Sequence, residues 1–135
     1  MQRSLASRLL EATSADFGSS DQLRRAHEFV WETLRAVRDA LPPLVAETLD
    51  HFGANAPSWK ESEKERVALW NSIEGDSMGT KPAGAATRAA LFAFLDGDDV
   101  ELNADDVIWH FEMFYSRAGL PPDTLTSIFR RYWPE

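Results

Sequence analysis

The stretch DQLRRAHEFVWETLRAVRDAL, Asp21–Leu41, decides the fold. Leu23, Ala26, Val30, Leu34, Val37 and Leu41 recur every three or four residues, which gathers them on one stripe of a helix. The same spacing would scatter them over both faces of a strand. Pro42-Pro43 stop the pattern, because proline disfavours helical backbone in the residue before it.

The same period recurs on both sides of this segment. Upstream, Leu5, Leu9 and Leu10 set a short helix ending near Phe17-Gly18. Downstream, Leu44 to Phe52 form a third helix that Gly53 closes. Ser58-Trp59-Lys60-Glu61 is a capping box, in which the serine and glutamate side chains satisfy each other's backbone N–H. The helix it opens is expected to run to about Glu74, with a solvated first half and with Val67, Leu69, Trp70 and Ile73 turned inward. Gly75 to Lys81 reads as a flexible connection, and Pro82 suits the first turn of a fifth helix. Ala83, Ala85, Ala86, Ala89 and Ala90 give that helix a small-residue face fit for close contact, and Gly97 is placed to end it. A sixth helix is expected over about Ala104 to Ala118, capped by Asn103 and stopped by Gly119, with Val107, Ile108, Phe111 and Tyr115 on one stripe. Pro121-Pro122 lead into a seventh bearing Leu125, Ile128, Phe129 and Tyr132. No segment alternates as a strand would, and no internal repeat is found. The expectation is an all-α, single-domain irregular bundle of six to seven helices spanning residues 1–135.

Composition supports a packed domain. The chain has 135 residues, 44% hydrophobic and 11% aromatic, enough to bury roughly two-thirds of its unfolded surface. It has no cysteine, which excludes disulfides, thiolate zinc sites and a cysteine nucleophile, and suits a reducing compartment. The longest apolar run, Ala89 to Leu95, falls far short of the roughly twenty residues of a membrane span. Glu11 interrupts any continuous apolar signal region, so a cytoplasmic protein without membrane association is expected.

The net charge is −8. Its densest source is DGDDVELNADD, Asp96–Asp106. Asp105 and Asp106 fall in the first turn of the sixth helix, where carboxylates complement the helix dipole. Asp96, Asp98, Asp99 and Glu101 have no such local reason. A calcium loop counted from Asp96 fails, because Val100, Glu101 and Val107 stand where a ligand, a glycine and a bidentate glutamate are needed. With no clustered basic face, nucleic acid is not an expected partner.

Familiar chemical motifs also fail. His27-Glu28 begins like a zinc-protease motif, but Trp31 stands where the second histidine belongs. His27, His51 and His110 lie on three different helices, and only their convergence would make a metal site. Glu47 and His51 share a helical face as a surface pair would. Gly75–Lys81 matches neither a P-loop nor a nucleophile elbow. No catalytic residue, cofactor or metal ligand is assigned. Among the tryptophans, Trp70 and Trp109 are expected in the core. Trp59 and Trp133 are open to two readings, core packing or partner contact.

Three function classes follow. The foremost is a non-catalytic acidic module that caps a basic protein partner, as inhibitors, immunity proteins and antitoxins do, through Asp96, Asp98, Asp99, Glu101, Trp59 and Trp133. The second is an oligomerising adaptor or small subunit, with homo-oligomers formed through exposed aromatics and the alanine-rich helix. The third is a metal-dependent enzyme using His27, His51 or His110. Mutual repulsion in the acidic cluster opposes folding slightly, whereas steering would speed association by about one to three orders of magnitude. Replacing Asp96, Asp98, Asp99 and Glu101 by Asn or Gln should therefore leave the melting temperature unchanged or slightly raised, while slowing low-salt association with the partner. A clear loss of stability on neutralisation would refute this reading.

Overall fold

A computed structural model describes residues 20–94 and 104–134. The expected first helix, the Gly97 stop, the Asn103 cap and the acidic residues Asp96, Asp98, Asp99 and Glu101 lie outside them.

The described residues fold into six α-helices: α1 (Ser20–Ala36), α2 (Pro43–Phe52), α3 (Glu63–Ser72), α4 (Pro82–Leu91), α5 (Ala104–Arg117) and α6 (Pro122–Tyr132). Short 3-10 turns cover Arg38–Ala40, Glu74–Asp76 and Phe92–Phe94. No strand occurs among the described residues. The chain is all-α, an irregular helical bundle.

Local chemistry sets the helix ends. Pro43, Pro82 and Pro122 each occupy the first turn of a helix, where the missing N–H costs nothing. Gly53 ends α2 at φ 69°, donating its N–H to the Leu49 carbonyl at 2.9 Å. Gly119 adopts φ 77° after α5. The capping box forms: Glu61 N–H donates to Ser58 Oγ, and Ser58 N–H donates to Glu61 Oε1, each at 3.2 Å. It closes an irregular turn ahead of α3, whose regular hydrogen bonding begins at Glu63 and ends at Ser72. Helix α3 is thus shorter at both ends than the span expected from the Ser58 capping box to about Glu74.

The stripe Leu23, Ala26, Val30, Leu34, Val37 and Leu41 is buried throughout. Phe29 and Trp31 are buried beside it, which widens the apolar face of α1. Helix α1 packs against α5 and α6, α4 lies along α5, and α3 contacts α4 and α2. Of the expected small-residue face Ala85, Ala86, Ala89 and Ala90 are buried together with Gly84, and Ala83 is exposed, so most of that face is used inside the bundle, which brings the α4 backbone close to α5. That face is therefore not an exposed oligomer interface.

The segment expected as a flexible connection is a cross-braced turn. Asp76 Oδ1 accepts from the Thr80 N–H (2.9 Å) and hydroxyl (2.6 Å), and Oδ2 accepts from the Lys81 N–H (2.9 Å). These bonds hold the Asp76 carboxyl below its ordinary range, the Thr80 hydroxyl contributing most. Arg88 donates to the Ser77 carbonyl and Arg117 to that of Gly79, at 2.6 and 3.1 Å. Gly84 makes the close approach possible, since a Cβ there would overlap the Asp76 carboxylate.

The turn between α5 and α6 is tied from the core. The Tyr115 hydroxyl donates to the Pro121 carbonyl at 2.5 Å, and burial pushes its pKa from 10.0 up to about 12. The folded state therefore favours the neutral phenol. Stability from this group is complete below pH 10 and lost as pH rises toward about 12. Tyr115→Phe should cost about 1 kcal/mol in urea denaturation at pH 7, and it should flatten the alkaline fall in stability between pH 10 and 12. An unchanged alkaline profile would show that the buried phenol does not set it, and an unchanged stability at pH 7 that the tether contributes nothing.

Candidate interaction surface

Two concave regions gather functional side chains. The larger, about 810 Å³, lies along one face of α1, where Arg24, His27, Glu28, Trp31, Glu32 and Arg35 succeed one another at helical spacing. The loop bearing Asn55, Ser58 and Glu61 forms the opposite wall, with Tyr132 at one end. Two of its charges are ion-paired. Arg131 pairs with Glu32 at 2.9 Å, and the Glu32 carboxylate also acts on the Tyr132 phenol. Burial first, then that carboxylate, raises the Tyr132 phenol well above its ordinary value. Arg24 pairs with Asp21, and the Trp31 indole N–H donates to the Gly53 carbonyl at 3.1 Å.

The three histidines are put to different uses. His27 is buried on the α1 wall of this cleft. His51 is exposed at the end of α2, packed on Phe52, with Glu65 3.7 Å away; the expected surface pairing with Glu47 is not formed. His110 stacks on Phe92 with Nδ1 2.8 Å from the Asp106 carbonyl. Among the described residues no three His, Asp or Glu side chains come together in a group able to hold a metal ion.

The second region is small, about 150 Å³, and apolar-floored. Trp59, Arg66, Trp70, Arg88, Leu91 and Phe92 line it, brought together by α3, α4 and the capping-box turn. The Arg66 guanidinium lies 3.5 Å from the centre of the Trp59 ring, with Nη2 donating to the Trp59 carbonyl at 2.7 Å and Nε to Ser62 Oγ at 3.2 Å. Arg88 sits between two rings, 4.9 Å from Trp70 and 4.6 Å from Phe114. Arg117 lies 5.5 Å from the centre of the same Phe114 ring, extending the row. Cations over aromatic faces at these distances each contribute about 0.5–1 kcal/mol at exposed sites. Burial lowers the Arg88 guanidinium from its ordinary value.

Helix geometry explains why Trp70 is here and not in the core. At about 100° per residue, Leu69 and Ile73 point one way, and both are buried. Val67 and Trp70 share a different side of α3, and they are 53% and 44% exposed. The helix therefore carries two apolar stripes, one inward and one outward. Trp109 is likewise 49% exposed, because it falls off the stripe of Val107, Ile108, Phe111 and Tyr115. The expectation that Trp70 and Trp109 are core residues is corrected on both counts.

Of the partner-contact candidates, Trp59 belongs to this surface, half-buried beneath Arg66. Trp133 does not. It is 2% exposed, packed against Phe29 and Phe129, with its indole N–H donating to Gln22 Oε1 at 3.0 Å. Its position is that of a core residue. Arg66 and Arg88 were not singled out from sequence, and Trp70 was assigned to the core; the signal that could have found this surface is the Trp/Arg spacing of α3, where Trp70 follows Arg66 by one turn.

The sequence matches no known family model and is similar to no curated protein and no solved structure.

The two kinds of tryptophan should separate on substitution. Trp133→Ala removes a buried ring and should cost about 3–5 kcal/mol. Trp70→Ala should cost no more than about 1 kcal/mol, the scale of its contact with Arg88. Urea denaturation of both variants checks this; equal losses would place Trp70 in the core.

Proposed function

We propose that this chain is a non-catalytic protein-binding module, of the kind that caps or inhibits a partner protein, and that it binds through the Trp59–Arg66–Trp70–Arg88 surface. The observation that carries the reading is Trp70, 44% exposed beside Val67 at 53% on an outward stripe that contributes nothing to the bundle's own core. Tryptophan and arginine are the residues most enriched at the energetic centres of protein interfaces. Large apolar side chains left in water at the mouth of an apolar pocket lower solubility unless a partner covers them.

The net charge of −8 favours a partner that is basic overall, reached first through long-range attraction, which leaves open the sign of the segment that meets Arg66 and Arg88. The described residues carry 12 basic and 15 acidic groups, so −3 of that charge, and the remaining −5 lies outside them with the Asp96–Glu101 cluster. A reducing cytoplasm is the compartment proposed from the absence of cysteine. An oligomerising adaptor has less in its favour, since the alanine face of α4 is spent inside the bundle.

The test uses the immobilised full chain and its Trp70→Glu variant, exposed to extract of the source cells. A protein retained by the wild type should be purified and its affinity for both forms measured. A loss of at least about 30-fold, the effect of removing one interface hot spot of 2 kcal/mol, supports the reading. Equal affinity for both forms, or no retained protein, overturns it. Light scattering decides the adaptor alternative: a dimer that Trp70→Glu dissolves would mean that the surface serves self-association.

A further inference from the structure

Three arginines on one side of the bundle, Arg66, Arg88 and Arg117, are held over aromatic rings, those of Trp59, Trp70 and Phe114. Arg24, Arg38 and Arg131 are ion-paired, to Asp21, to Asp39 and Asp50, and to Glu32. Arg66, Arg88 and Arg117 are not: every acceptor they reach among the described residues is neutral. Arg66 bonds Ser62 Oγ and the Trp59 carbonyl, Arg88 bonds the Ser77 carbonyl, and Arg117 bonds the carbonyls of Met78 and Gly79. Arg66 Nη1, and Arg88 Nε and Nη2, have no acceptor among the described residues. Arg25, Arg35 and Arg130 also form no ion pair among the described residues, but only Arg66, Arg88 and Arg117 combine that with a fixed seat on a ring.

The neutral hydrogen bonds and the rings hold these guanidiniums flat and in place, which fixes where their remaining donors sit. A positioned guanidinium with unused donors is matched by a carboxylate, which accepts two of them side by side. Between Arg66 and Arg88 lies the 150 Å³ pocket floored by Leu91 and Phe92, a volume suited to one apolar side chain. Resting on the protein-binding reading above, we propose that this surface docks an acidic segment of the partner protein, with one apolar or aromatic side chain seated between Trp59 and Trp70 and flanking carboxylates on Arg66 and Arg88.

A single-stranded nucleic acid would also offer anions and flat rings, but the observations favour the peptide. Strand binding relies on a row of cations that releases condensed counterions. Here the cations are few, and a strand with a phosphate at every nucleotide would meet the net charge of −8 with correspondingly greater repulsion. A short acidic segment brings fewer charges and needs no continuous basic groove.

The experiment titrates the ¹⁵N-labelled full chain with blocked peptides and follows the indole N–H signals of Trp59 and Trp70, assigned with Trp→Phe variants. The probes are Glu-Glu-Phe-Glu-Glu, the same peptide with Gln for Glu, the same with Lys for Glu, and a twelve-residue oligothymidylate. Expected is saturable binding of the Glu peptide that shifts both signals, with the Gln peptide at least about tenfold weaker, as the loss of one charge-assisted contact requires. The Lys peptide should not bind, and added salt should weaken the Glu peptide. Arg66→Gln/Arg88→Gln should abolish the difference between the Glu and Gln peptides. The wild-type peptide series stands by itself if that double variant fails to fold. Equal binding of the Glu and Gln peptides, no shift at millimolar Glu peptide, or tighter binding of the oligothymidylate would overturn the proposal. If it falls while a purified partner still depends on Trp70, the protein-binding reading survives and only the acidic chemistry is lost.

Discussion

Everything in the bundle hangs on the ring of Phe29. It is fully buried at the middle of α1, and the edges of Phe111, Phe129, Tyr132 and Trp133 meet it at centroid distances of 5.9, 5.6, 6.2 and 5.7 Å. All four are edge-to-face contacts, the arrangement that sets the positive rim of one ring against the negative face of another. Each is worth about 0.5–1.5 kcal/mol beyond the area it buries. One side chain therefore joins α1 to both α5 and α6, across about a hundred residues of sequence. Loop closure over that distance is costly in entropy, so a compact aromatic knot is an economical way to hold it.

The outer surface inherits its geometry from this knot. Phe111 and Tyr115 fix the inward face of α5, and that leaves Phe114 on its flank. Phe114 is buried, yet its ring carries Arg88 and Arg117 and stacks with Phe92. Gly79 lies so close that a Cβ there would come within 2.9 Å of that ring. Core packing thus reaches the arginines through one aromatic residue, and the Asp76 turn braces them from the other side. Positions set by packing in this way lose little side-chain entropy when a partner docks.

The legible part of the fold is what periodicity records. The α1 stripe, the small face of α4, the stripe of α5 and the stops at Gly53 and Gly119 were all readable, because each depends on nearest neighbours along the chain. Phe29 was not singled out, since it sits beside the regular stripe and earns its role from residues of α5 and α6. Val67, Trp70 and Trp109 misled for a related reason. An apolar residue near a stripe is scored as inward unless its angle is worked out, and a helix with two stripes defeats the rule. The braced turn was hidden because Asp76 acts through Thr80, Lys81 and a glycine eight residues ahead, none of which forms a familiar motif.

The site was less legible than the fold because charge was read as a sum. A total of −8 directs attention to the carboxylates, yet the arrangement that distinguishes the described surface is the placement of cations. Exposed ion pairs such as Arg38–Asp50, a two-pronged contact at 2.7 and 2.5 Å, neutralise each other and leave little field for a partner to sense. A guanidinium held over a ring by neutral acceptors keeps its whole charge. Arg88 pays part of the cost of burial without a counter-ion, so an anion arriving there would recover interaction energy that folding alone leaves unrealised. In the larger cleft the Glu32 carboxylate is already paired with Arg131. Size therefore points to one concavity and unsatisfied chemistry to the other, and recognition follows the chemistry.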